Sequence, residues 1–242
     1  MSNRGTVVAA AVVGTLLVGA AGIGIIYFVL FSGSSPQKLA LSSPTPSTTA
    51  SSASASPAGT PAAGTWTVTS GSQAGYRVRE QLASLPAPSD AVGRTSAVTG
   101  TLVLAQSASG YRVTAASVTV DVSKLSSDQS RRDQRIRSQG LESDRYPTAS
   151  FQLTAPIILP ATAASGQAIN VSATGALTIH GVTKTVTIPI MARLNGSTIE
   201  LAGSITFPFS QFGMTPPSIG GFVTVQDNAT MEFQIFLAPP GA

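Results

Sequence analysis

Ala116-Ser117-Val118-Thr119-Val120-Asp121-Val122 is the stretch on which the fold turns. Its even positions are apolar and its odd positions polar. Successive side chains of an extended strand point to opposite faces. One face of this segment is therefore oily and the other wet, which describes a strand buried on one side. The alternation continues in both directions. Upstream, Val98-Thr99-Gly100-Thr101-Leu102-Val103-Leu104 carries its apolar face on the even positions, Tyr76-Arg77-Val78-Arg79 sets a ring and a Val against two arginines, and Trp66-Thr67-Val68-Thr69 opens the series. Downstream follow Phe151-Gln152-Leu153-Thr154, Gly175-Ala176-Leu177-Thr178-Ile179, Val186-Thr187-Ile188-Pro189-Ile190, Ile199-Glu200-Leu201, Ile205-Thr206-Phe207 and Met231-Glu232-Phe233-Gln234-Ile235-Phe236-Leu237. Ala108-Ser109-Gly110 and Leu194-Asn195-Gly196-Ser197 supply turn signals between them. About nine such strands in one domain predict an all-β fold, a sandwich or a closed barrel.

One segment breaks the pattern. Residues 126–138, SSDQSRRDQRIRS, lack β-branched residues apart from Ile136 and are rich in helix formers. Ser126 followed by Gln129 reads as a capping box, with Asp128 in the first turn. The short helix predicted here carries Arg131, Arg132, Arg135 and Arg137 and so little apolar surface that it belongs on the surface or across a barrel mouth. Its arginines are expected to pair with Asp133, Glu142 and Asp144. A basic lip toward anionic lipid headgroups is the other reading.

The strand-forming domain occupies residues 64–242, behind three different segments. Residues 1–6 are a short tail. Residues 7–31, VVAAAVVGTLLVGAAGIGIIYFVLF, hold no charge; as a helix they reach about 37 Å, enough to cross a hydrocarbon core of about 30 Å. The apolar part of a cleavable signal peptide runs about 7–15 residues and ends at small side chains. Here the run is longer and ends in Phe28-Val29-Leu30-Phe31-Ser32. It reads as an uncleaved transmembrane signal anchor, predicting a single-pass cell-membrane protein whose C-terminal domain is extracytoplasmic, periplasmic or at the cell surface. Residues 32–63 set Pro36, Pro44, Pro46, Pro57 and Pro61 among Ser, Thr and Ala, which predicts a disordered linker. Its reach is about 30 Å as a coil and about 100 Å in a polyproline-like conformation.

Composition removes several functions. There are no cysteines, hence no disulfide scaffold, Cys-based zinc site, iron–sulfur cluster, thiol nucleophile or lipoprotein cysteine. The 14 basic and 10 acidic residues leave a net charge of +4. Two of those basic residues, Arg4 and Lys38, precede the domain, so the domain has no concentrated basic face and no nucleic-acid partner is expected. The single imidazole, His180, sits before Gly181 in an apparent hairpin turn and can build neither a metal site nor a triad, since no G-x-S-x-G occurs. Asp121, Glu200 and Glu232 fall on polar strand faces, away from any lumen. No enzyme, metal or obligate cofactor is implied.

Three blocks, in order, resemble the YceI-like family. Ser123–Phe151 carries a serine-rich strand end, Arg132-Asp133 to Arg137-Ser138, and the strand entry Tyr146-Pro147-Thr148-Ala149-Ser150-Phe151. Leu177-Thr178-Ile179-His180-Gly181-Val182-Thr183-Lys184 is similar to that family's hairpin, and Phe209-Ser210-Gln211-Phe212-Gly213 to its Phe-Gly element. Many relatives have a histidine near the first strand; Ser70–Tyr76 has none. The resemblance covers about residues 64–238. It implies a lipocalin-like extended antiparallel β-barrel with one short helix, holding a long apolar ligand, a polyisoprenoid or its quinone, in the lumen.

On that reading the inward side chains line the ligand: Tyr76, Val78, Leu102, Val118, Val120, Phe151, Leu153, Leu177, Ile179, Phe207, Phe212 and Phe233. Small residues, Gly100, Ala116, Gly175 and Ala176, would leave it space, while Phe209, Phe212 and Phe222 would close one barrel end. Two rivals remain open at this level. One is a structural or interaction domain with a filled core. The other is a hydrolase of the cell envelope, which would need a carboxylate pair inside the barrel.

Overall fold

The computed structural model describes residues 35–43, 61–82, 88–107, 110–219 and 223–241. The readings of residues 1–6 as a tail and 7–31 as an anchor lie outside them. Among the described residues no helix is long and apolar enough to cross a membrane. Gln37–Ala242 form one compact unit.

The strands are β1 (Gly64–Val68), β2 (Gln73–Leu82), β3 (Ser89–Thr95), β4 (Val98–Ser107), β5 (Gly110–Asp121), β6 (Thr148–Leu153), β7 (Ile157–Ile158), β8 (Ile169–Ile179), β9 (Val182–Asn195), β10 (Thr198–Phe207), β11 (Ser218–Ile219) and β12 (Val223–Ala238). Every pairing is antiparallel. The sheet runs β1-β4-β5-β6-β8-β9-β10-β12, and β12 returns to pair with β1. β2 and β3 continue β1 and β4 beyond short bends and pair with each other. Counting β1/β2 and β3/β4 as two bent strands, the barrel has eight staves. The 16 residues of β12 are long enough to edge both β1 and β2.

Two sequence expectations change here. Ile199–Leu201 and Ile205–Phe207 belong to one strand, β10, because Gly203 between them keeps the ladder: it pairs with Phe233 on one side and Ile190 on the other. β3 was not expected, since SDAVGRT alternates poorly; Ala91 and Val92 are nevertheless buried, on opposite faces.

The two barrel ends differ. At one end the β8–β9 hairpin turns through His180 and Gly181, with φ of 52° and 72°. Two successive positive values are what a two-residue hairpin turn requires to match strand twist. The same end holds Leu125, Ile179, Phe207, Phe209, Phe212 and Met214, all buried in one cluster. Phe209 and Phe212 therefore close this end as expected; Phe222 lies outside the described residues.

The helix α1 (Ser130–Arg135) and the wider turn Ile136–Gly140 that continues it follow β5. The helix is shorter than predicted and the capping box does not form. Ser126 is instead paired with Arg94 in a β-bridge, and Gln129 precedes the helix without a side-chain cap. Ser127 N and Oγ donate to Asp133 Oδ1 at 2.9 and 2.7 Å. Asp133 is thereby taken, and Arg132 pairs with Asp128 and, at 2.7 Å, with Glu80. Glu80 shares a face of β2 with Tyr76 and Val78, so this pair ties α1 to the wall of the plugged end.

Part of the expected linker is bound. Gln37 and Ser42 contact the outer wall, where Arg94 donates to Gln37 O and Ser42 N and Oγ donate to Glu200 Oε1 at 2.6 and 2.8 Å. Glu200 and Glu232 do point away from the lumen, yet they are 0% and 1% exposed. Residues 44–60 lie outside the described residues.

Candidate binding cavity

The inward faces of β4, β5, β6, β8, β9, β10 and β12 enclose an almost wholly apolar cavity of about 150 Å³. It occupies the half of the barrel away from the plug. Tyr111 beside the β4–β5 hairpin, Leu194 and Ile199 on either side of the β9–β10 turn, and Ile157, Leu159, Ala163 and Pro61 line its outer end. Trp66 is buried in the wall there, its Nε1 donating to Ala62 O at 2.9 Å.

The predicted lining residues divide by barrel half. Leu102, Val118, Val120, Phe151, Leu153, Leu177 and Phe233 line the cavity. Tyr76, Val78, Ile179, Phe207 and Phe212 do not. They face inward too, but pack on one another in the plugged half, where Phe207 and Phe212 meet edge to face at 4.7 Å. Alternation reports which face a side chain takes, not how deep it lies along the barrel. Burial pushes the Tyr76 phenol above its ordinary pKa, and neighbouring Arg132 opposes that more weakly.

Space is made by a different device from the one expected. A Cβ on Gly175 would lie 2.4 Å from Phe151 Cζ, and one on Gly203 would lie 2.6 Å from Phe233 Cζ. Each ring therefore packs against a glycine of the adjacent strand, in space that a Cβ would take. The room at Gly175 is filled by Phe151, and Ala176 faces outward, opposite to Gly175 and Leu177. Ala116 lines the cavity as expected, joined by Ala173 and Ala192.

Residues missed from sequence cluster at the open half. Tyr111-Arg112-Val113 has the alternation that would have found Tyr111 and Val113. Ile157 and Leu159 lie in a run bounded by Pro156 and Pro160, which reads as loop. The Tyr111 hydroxyl is buried and, among the described residues, has no hydrogen-bond partner. A buried unpaired hydroxyl costs about 1–3 kcal/mol. The arrangement can thus shield a slender apolar chain and offer one donor near the outer end.

A model of the YceI-like domain matches residues 66–237. Among solved structures, the chain is similar to a polyisoprenoid binding domain from Saccharophagus degradans implicated in plant cell wall breakdown, with 13% identity over 74% of this chain and 100% of that one and a TM-score of 0.52. It is also similar to BcnA of Burkholderia cenocepacia, with 19% identity over 67% of this chain and 95% of that one and a TM-score of 0.49. No curated protein matches. At such identities the structural likeness speaks for the fold alone, and it is the family model, spanning both the cavity wall and the plug, that places this chain in the YceI-like domain family.

Proposed function

We propose that this chain is a membrane-tethered extracytoplasmic binding protein that holds the tail of an isoprenoid-type lipid and performs no covalent chemistry. The observation that carries this reading is the apolar cavity walled by seven of the residues that alternation had turned inward. Apolar surface removed from water contributes about 25 cal/mol per Å², so such a site needs few directional groups. The uncharged run 7–31 supports the tether. The polyisoprenoid named for the Saccharophagus domain supports the ligand class.

The cavity also sets a length. A space of about 150 Å³ takes part of a polyisoprenoid tail and not the whole of one. The remainder of a longer tail, and the head, would extend past Tyr111.

The test is to purify the full chain in mild detergent and examine organic extracts by mass spectrometry. Titration with farnesol and with a longer isoprenoid quinone then follows the fluorescence of Trp66, the single tryptophan. Saturable binding is expected, with affinity levelling off once the tail outgrows the cavity. Ala173→Phe, which fills the cavity, should abolish it. No extracted lipid and no saturable change would leave the filled-core domain as the better reading.

A further inference from the structure

The outer wall of the barrel presents an anomaly. Side chains on that face should meet water, but Glu200 on β10 and Glu232 on β12 are fully buried. Each is paired with arginine. Arg193 NH2 lies 2.7 Å from Glu200 Oε2. Arg94 NH2 lies 2.8 Å from Glu232 Oε1, with Arg77 Nε at 3.4 Å from its other oxygen. Both pairs then grip the same piece of backbone. Arg94 donates to Gln37 O, and Arg193 to Ser42 O at 2.8 Å. Glu200 accepts from Ser42 N and Oγ, and Gln234 Nε2 reaches Ser42 Oγ at 3.3 Å.

The two grips are five residues apart, about 17 Å of extended chain. Between them Leu39 and Leu41 are half-buried, whereas Lys38 and Ala40 are exposed. That alternation sets the two leucines apart from their exposed neighbours. The arginines hold main-chain carbonyls and the carboxylate holds a main-chain N–H, so the wall recognises main-chain groups. The leucines and the Ser42 hydroxyl add sequence preference.

We propose that this wall is a peptide-binding site and that Gln37–Ser43 is its resident ligand, bound in cis as a clasp. The inference does not depend on the lipid reading. On the anchor reading, the linker of residues 32–63 is pinned to the barrel at Gln37 and Ser42.

Lys38 is the only tryptic position between Arg4 and Arg77, which makes the clasp measurable. The full chain, in nanodiscs of neutral phospholipid, is exposed to trypsin and cleavage after Lys38 is timed by mass spectrometry. Proteolysis of a reversibly opened segment follows the open population. Leu39→Ser/Leu41→Ser and, separately, Ser42→Pro should be cut at least about tenfold faster than the unmodified chain. Trp66 fluorescence should stay unchanged in both, since the substitutions lie outside the barrel. Protection should be independent of protein concentration over a hundredfold range. Equal cleavage of the unmodified and substituted chains overturns the clasp, and protection that fades on dilution overturns the cis assignment.

Discussion

His180 shows how one side chain can be fixed by position and neighbours together. Its Nδ1 lies 3.2 Å from Phe212 O and its Nε2 3.3 Å from Glu142 Oε1, while the Tyr146 ring stands edge-on at 4.5 Å. The hairpin, the segment after α1 and the Phe209–Phe212 turn thus meet at one imidazole. A left-handed conformation costs an ordinary residue about 1–2 kcal/mol, and a β-branched one more. His180→Val should therefore destabilise the barrel by about 2–3 kcal/mol in urea unfolding. His180→Asn should recover the backbone part of that loss, because Asn tolerates the left-handed region. The His-Gly turn was legible in the sequence as local chemistry. Its partners were not, since Glu142 and Phe212 are brought to it by the barrel's closure. Gly175 makes the complementary case. Read as a spacer, it is a seat for Phe151, and in Gly175→Ala the new Cβ would meet that ring and the Gln152 carbonyl, each at 2.4 Å, so that both ring and strand must shift. The expected cost is about 1–3 kcal/mol, with loss of isoprenoid binding in the Trp66 titration.

At the scale of elements, alternation recovered most of the barrel staves, because a period of two survives wherever one face is buried. It failed where a strand is weakly patterned, as in β3, and where a glycine breaks the apolar count, as in β10. The helix was legible as a change of composition. Its start was not, because Ser126 is drawn into a β-bridge with Arg94 by tertiary structure that no capping rule sees. The Arg132–Glu80 pair is what gives α1 a place. Glu80 and Asp128 hold the Arg132 guanidinium charged against a burial cost that would lower its pKa, leaving it above its ordinary value. Arg132→Ala removes a hydrogen bond between charged groups and should cost about 1.5–3 kcal/mol. Hydrogen exchange should rise in residues 130–140 and at β2 while β8 and β9 remain protected. Uniform loss of protection would mean that the helix is integral to the fold rather than docked on it.

For the molecule as a whole, acid should act first on the outer wall. Burial would raise the Glu200 pKa, but the hydrogen bonds from Ser42, Gln234 and Arg193 outweigh it and hold the carboxyl below its ordinary value of 4.5. Asp90 is likewise held below 3.8 by Arg79 and Arg77 against the opposing effect of burial. A carboxylate whose pKa is lowered on folding adds stability above its unfolded value, lost as pH falls through the folded one. Protection of the Ser42 amide, taken relative to unstructured chain at the same pH, should therefore fall below about pH 4.5. Glu200→Gln should flatten that dependence. At this scale the sequence made the barrel legible, but not its division into a packed half and a hollow half. Tyr76 and Phe207 carry the same inward signature as Leu102 and Phe233, and depth along the axis is set by register and closure. The division has a directional consequence. With Phe209 and Phe212 stopping one end, the lumen is a sock with a sewn toe. A molecule that is greasy at one extremity and water-loving at the other fits only greasy part first. Its water-loving extremity then stays outdoors, where a second protein could work on it without the barrel letting go.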